Sequence, residues 1–260
     1  MRSIHHLMLR VPSEEQRAAF MKAGVKLKGI LTIADDDQRW PKVTLLVKRF
    51  GLRDIVTTEY SDVDQGSARA LAMLATEQHG YPEPAVDGSY LSATFDTAEY
   101  CRFCGIGRKQ AAPFRLKKTP ALGNSILQLN WIFDEYFVNR DTFGTVFKPS
   151  GVGCRPVVLD KTGVEIDSIV QLAVPQIVDL QVGNLAYKDC SHCGRRKYEA
   201  TFLRTDPCPA PSKTDWPVSK SSQFFGDGAS AFRLVLISGL LCQRIKAARL
   251  RGVRFTPCTE

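Results

Sequence analysis

Apolar and polar positions alternate along the chain with both helical and strand periods, in short segments, which predicts mixed helix and strand. Residues 14–23 have the spacing of a short helix, with Ser13 placed as N-cap before Glu14 and Glu15. Residues 42–50, KVTLLVKRF, are apolar and β-branched and read as a strand punctuated by Gly51; residues 55–60 read as a second strand. Residues 64–79, DQGSARALAMLATEQH, place Ala68, Leu71, Leu74 and Ala75 on one helical face, with Gly80 in the position of a C′ glycine. The YPEP tetrapeptide at 81–84 forbids a helix, and SYLSATFDTAEY then reads as a strand running up to Cys101.

The later half carries a pattern twice. ILQLNWIFDEYFVN reads as strand material ending near Asn139; RDTFGTVFKPSG follows as a short helix, then Gly151, Gly153 and the strand CRPVVL. FRLVLIS reads as a strand ending at Ser238; GLLCQRIKAARLRG is an amphipathic helix with Leu241, Ile245 and Ala248 on one side, then Gly252 and the strand VRFTPC. Each copy is strand, capping residue, helix, glycine, strand with proline, a repeat of pattern rather than of identity. CPAPSKTDWPVSKSSQFF, between them, is rich in Pro and Ser and reads as a loop.

This mixture predicts an α+β fold with mixed sheets and few helices. An N-terminal α/β region over 1–95 would pack on a region over 96–260 that holds the two strand–helix–strand units. With 260 residues and 44% hydrophobic side chains, the chain can bury a core without staples. No apolar run approaches the roughly 20 residues needed to span a bilayer. The first residues lack an apolar leader segment and a small-residue cleavage site, so the expected setting is cytoplasmic, with no membrane partner. In that setting eight cysteines are thiols or metal ligands rather than disulfides.

The cysteines carry the chemistry. CRFCG at 101–105 and CSHCG at 190–194 repeat one device. A Cys-x₂-Cys turn presents two thiolates on one side, and the following glycine lets the backbone fold back with positive φ. Two such turns supply the four thiolates of a tetrahedral zinc site, so Cys101, Cys104, Cys190 and Cys193 are the expected ligands of one structural Zn²⁺. The 85 residues between Cys104 and Cys190 exceed the roughly 15 to 20 of a compact zinc ribbon. A long insertion is tolerated, because loop-closure entropy grows slowly with length. Metal-free turns and a redox pair are the alternatives; the redox pair would need its motif to open a helix after a strand. His192 is expected at the exposed tip of the second turn. Cys154, Cys208, Cys242 and Cys258 have no paired spacing. Cys242 reads as a core residue, and a second metal site from these four stays open.

Nothing in the chain has the pattern of a nucleophile elbow, a zincin helix or a P-loop, and its four histidines fall outside such motifs. Asp134 and Glu135 are adjacent, would point to opposite faces of a strand, and read as a solvated strand end. A net charge of +8 favours an anionic partner, though four thiolates around a divalent ion would lower it by about two. Arg195, Arg196 and Lys197 directly follow the second turn, and Arg108 and Lys109 follow the first; these five are the candidate phosphate contacts of a nucleic-acid-binding zinc ribbon.

The ordered set of CxxCG, long insert, CxxCG and a terminal FGDGASAFRLVLIS…LLCQRIKAARLRGVRFTPC resembles the double-CXXCG motif proteins known from myxobacteria. The resemblance covers roughly residues 95–260. Two stretches, GIGRKQAAPFRLKKTP and LNWIFDEYF, depart from it. That family is grouped with immunity proteins of bacterial toxin–immunity systems. The resemblance therefore implies a non-enzymatic protein that binds and neutralises a cognate toxin protein, with zinc as scaffold. A basic chain is poorly suited to mimic nucleic acid, so the toxin implied is not a nuclease inhibited by such mimicry.

Overall fold

The computed structural model describes residues 1–9, 11–27, 29–183, 185–201 and 208–259. The chain forms two compact units: Met1–Asp64 with Thr201–Asp206, and Gln65–Ala200 with Pro207–Glu260. The division falls between Asp64 and Gln65 rather than at residue 95.

The smaller unit runs β1 (Arg2–Met8), α1 (Glu14–Lys22), β2 (Ile30–Ala34), α2 (Trp40–Phe50) and β3 (Asp54–Glu59), with an antiparallel sheet in the order β2–β1–β3. Ser13 caps α1 as expected: its hydroxyl accepts from the Gln16 N–H, and the Gln16 side chain accepts from the Ser13 N–H. The expected strand at 42–50 is instead α2. Its Val43, Leu46, Val47 and Phe50 recur at helical spacing and pack against Leu7 and Phe20 in one apolar cluster. Burying that stripe outweighs the β-propensity of the individual residues. Pro41 begins the helix, and Gly51 (φ +57°) ends it.

Helix α3 (Asp62–Ser67) crosses the division and leads to β4 (Ala70–Ala75). There follow α4 (Tyr90–Thr94), β5 (Phe95–Asp96), β6 (Lys109–Gln110), β7 (Phe114–Leu116), β8 (Phe137–Asn139), α5 (Arg140–Thr142), β9 (Gly153–Leu159) and β10 (Glu165–Ala173). Then come β11 (Ile177–Val178), β12 (Tyr187–Asp189), β13 (Arg196–Tyr198), β14 (Cys208–Pro209), β15 (Val218–Phe225), β16 (Phe232–Ser238), α6 (Gly239–Ala247) and β17 (Val253–Thr259). Among the described residues one sheet has the order β7–β9–β10–β8. A larger one has β12–β13–β15–β16–β4–β17–β14, with β11 beside β15. The molecule is thus α+β, with mixed sheets and few helices.

Several expected elements change in this unit: of the strand expected over ILQLNWIFDEYFVN only Phe137–Asn139 forms β8. The helix expected over 64–79 is α3 followed by β4, whose ALAMLA run is buried except at Ala75. Six consecutive apolar residues suit a strand covered on both faces as well as a helix; here β4 lies between β16 and β17. The strand expected over SYLSATFDTAEY is instead α4 followed by the two-residue β5 and a turn. The Pro/Ser-rich loop contains β15, whose polar residues are internally satisfied. Lys220 meets Glu135 at 2.5 Å, and the Ser221 hydroxyl donates to the Gln223 carbonyl and accepts from the Leu234 N–H.

The twice-repeated pattern folds twice into the same register. Val170 on β10 lies between Val138 and Pro156, and the preceding Ile169 pairs with the cap residue Asn139. Leu71 on β4 lies between Ile237 and Pro257, and the preceding Ala70 pairs with the cap residue Ser238. The Asn139 side chain accepts from the Thr142 N–H and the Ser238 side chain from the Leu241 N–H, so each starts its helix as an N-cap. The two copies share one core, in which Val146 and Phe147 meet Leu241 and Ile245. No helix among the described residues is long and apolar enough to cross a membrane.

Candidate metal centre

Each Cys-x₂-Cys turn closes an antiparallel pair. The first lies between β5 and β6, where Asp96 faces Lys109; the second lies between β12 and β13, where Asp189 faces Arg196. The two turns have one hydrogen-bond pattern. The Cys101 N–H donates to the Ile106 carbonyl and the Gly105 N–H to the Cys101 carbonyl; the Cys190 N–H donates to the Arg195 carbonyl and the Gly194 N–H to the Cys190 carbonyl. Gly105 and Gly194 sit at φ +80° and +70°, the left-handed conformation that lets the chain return beneath the sulfurs.

The turns converge. All four sulfurs lie within 4.8 Å of one another, with Cys101 Sγ 3.9 Å from Cys190 Sγ and Cys104 Sγ 3.7 Å from Cys193 Sγ. A tetrahedron of thiolates at the usual zinc–sulfur distance has edges of about 3.8 Å. The four residues named from sequence are therefore brought together, in a geometry that can hold a metal ion. Cys101 and Cys104 are buried, while Cys190 and Cys193 are partly exposed. Ile106, Ala231 and Phe224 pack against them and keep one side dry.

The thiols are held unequally. The Arg195 backbone N–H, then its guanidinium, lowers the Cys193 thiol to about 6. The Cys104 N–H lowers Cys101. Burial pushes Cys104 up to about 12. A cation between them favours all four thiolates and overrides this spread.

The basic residues after the turns are engaged inside the protein. Arg195 Nε donates to Cys193 Sγ at 3.4 Å, and its other arm donates to the Glu99 carbonyl at 2.6 Å. The Lys197 ammonium is buried and donates to the carbonyls of Cys104, Gly228 and Ser230 at 3.0, 2.6 and 3.0 Å. Arg196 forms a two-pronged pair with Asp189 and lies over the Tyr187 ring. Arg108 faces Asp134 at 3.6 Å and the Phe95 ring, and Lys109 pairs with Glu99. Asp134 and Glu135 lie outside any strand and are largely buried partners of cations rather than a solvated strand end: Asp134 also accepts from the Arg233 N–H, and Glu135 holds Lys220 and Gln171.

Of the remaining cysteines, Cys242 is a core residue, as the helical pattern implied. Cys154 is exposed, and Cys208 and Cys258 are register partners on β14 and β17. Among the described residues these four make no metal-binding group. Sequence reasoning missed the supporting shell. His192 is exposed as expected, but its ring stacks on Phe103, the tip residue of the other turn. Gly105 is needed beyond its φ: a Cβ there would lie 2.2 Å from the Ala229 carbonyl oxygen.

Fold and site together define an α+β protein with a closed centre of four cysteines able to bind a metal ion. No protein-family model, no curated protein and no solved structure matches the chain.

Proposed function

We propose that this is a non-enzymatic, cytoplasmic protein-binding molecule built around a structural Zn²⁺, and that it acts as an immunity protein towards a cognate bacterial toxin. The observation that carries the zinc is the convergence of four sulfurs from two turns of the same CxxCG pattern 89 positions apart. Four thiolates complete a tetrahedron and leave no position for a reactive water, so the ion acts as a rivet. Ligands kept as thiols agree with a reducing compartment. The immunity role rests on the double-CXXCG resemblance over residues 95–260.

A nucleic-acid-binding zinc ribbon is the second reading. Against it, Arg108, Lys109, Arg195, Arg196 and Lys197 each have an intramolecular partner, so contacting phosphate means breaking an existing bond. The deciding experiment purifies the chain together with the product of a neighbouring toxin gene. A one-to-one complex that abolishes the toxin's activity, with about one zinc per chain, supports the proposal. Absence of a complex, together with nucleic-acid affinity that falls steeply with salt, replaces it with the second reading.

A further inference from the structure

A cleft in the larger unit lies apart from the cysteine centre. It encloses about 570 Å³ where the chain leaves β7 and returns through residues 120–129. That volume is within the range of small-molecule sites. Its floor is Leu116, Leu122, Leu127 and Leu129, all anchored in one apolar cluster. Lys117 and Lys118 line it as well, both exposed, and neither has an ion pair or hydrogen bond among the described residues.

The cleft also has one carboxylate in its lining, Glu83, which the two ammonium groups outnumber. Glu83 accepts from the Ala85 N–H, and His79 faces Glu77. The mouth is braced. The Tyr81 ring meets Trp131 at a tilt, with ring centroids 4.5 Å apart, and the Asn130 side chain and N–H both donate to the Gly80 carbonyl. Trp131 is held at φ +68°, a left-handed conformation disfavoured for a bulky residue.

We propose that this cleft binds a small apolar molecule bearing a carboxylate. The leucine floor takes the hydrocarbon, and Lys117 and Lys118 are the free cations that meet the acid. An apolar floor alone would accept a neutral molecule equally well; the two unpaired ammonium groups beside it set the preference for an anion. The site draws on neither the metal centre nor a protein partner, so it stands or falls independently of the proposed function.

The test is calorimetric titration of the full chain with decanoate and with decanol below their aggregation limits. Decanoate should bind at one site per chain, about tenfold more tightly than the alcohol. The double variant Lys117→Glu with Lys118→Glu should abolish that preference and leave decanol binding unchanged. Ala121, exposed at the cleft, offers a block: Ala121→Trp should remove binding of both probes while thermal unfolding stays as in the parent. No saturable binding of decanoate, equal affinity for acid and alcohol, or binding that survives Ala121→Trp would each overturn the proposal.

Discussion

The rings of Phe103 and His192 lie face to face, 3.4 Å between centroids and 8° from parallel, so the tips of the two cysteine turns touch outside the metal position. The contact joins residues 89 apart and adds a link at the tips to those that Arg195 and Lys197 make to the first turn through the carbonyls of Glu99 and Cys104. Replacing either ring with alanine should leave the metal content at one per chain but speed its loss to a chelator. A double-mutant cycle should give a coupling of about 0.5–1.5 kcal/mol. Chelator-extraction rates and denaturant titrations measure the two quantities.

Cys101→Ser and Cys193→Ser should each abolish stoichiometric zinc and destabilise the larger unit by about 4 kcal/mol or more, in the class of losses caused by removing a metal. Cys154→Ser, at an exposed position outside the cluster, should change neither. Elemental analysis alongside thermal unfolding separates the two outcomes.

The two turn glycines share a conformation but differ in surroundings. Gly194→Ala meets no atom within 4 Å, so only the left-handed backbone opposes it, at a cost of about 1–2 kcal/mol. Gly105→Ala adds a collision with the Ala229 carbonyl and should cost clearly more, with weakened metal retention. Parallel urea titrations of the two variants would reveal the asymmetry.

Lys197→Met should be destabilising by about 3 kcal/mol, because it strips the buried donor from the carbonyls of Cys104, Gly228 and Ser230 without replacing it. Arg196→Met, which removes an exposed pair with Asp189, should cost at most about 1 kcal/mol. A reversal of that order in equilibrium unfolding would show that Lys197 is not the clamp on the first turn.

In metal-stripped, reduced protein, Cys193 should be the first cluster cysteine to be alkylated, and Cys104 the last. Folding favours the Cys193 thiolate, so its stabilising contribution is complete above the ordinary thiol range and fades as pH falls through about 6. Its alkylation rate should rise with pH and level off above about 6, while Cys104 stays unreactive until far higher pH. Mass-spectrometric mapping after timed iodoacetamide pulses reads both.

The four-cysteine cluster was legible because its signal is local: two CxxCG turns announce residue type, spacing and backbone bend within five residues each. The capped helices at Asn139 and Ser238 were legible for the same reason. What misled were segments whose state depends on distant partners. KVTLLVKRF looks like a strand until its i, i+3, i+4, i+7 stripe meets the cluster around Leu7. ALAMLA looks helical until β16 and β17 flank it. The serines and lysine of β15 look like a loop because Glu135, which neutralises Lys220, is 85 positions away. Arg195 and Lys197 read as free cations because the carbonyls that bind them come from elsewhere in the chain.

The matched registers around Val170 and Leu71 bear on where this chain can be cut. One copy draws its middle strand from downstream, the other from residues 70–75, well before the first cysteine turn. A truncation starting at residue 96 would keep every thiol of the cluster yet pull the keystone from between β16 and β17. Those two strands would be left with bare, adhesive edges, so a fragment trimmed to the cysteine region should precipitate even when supplied with zinc.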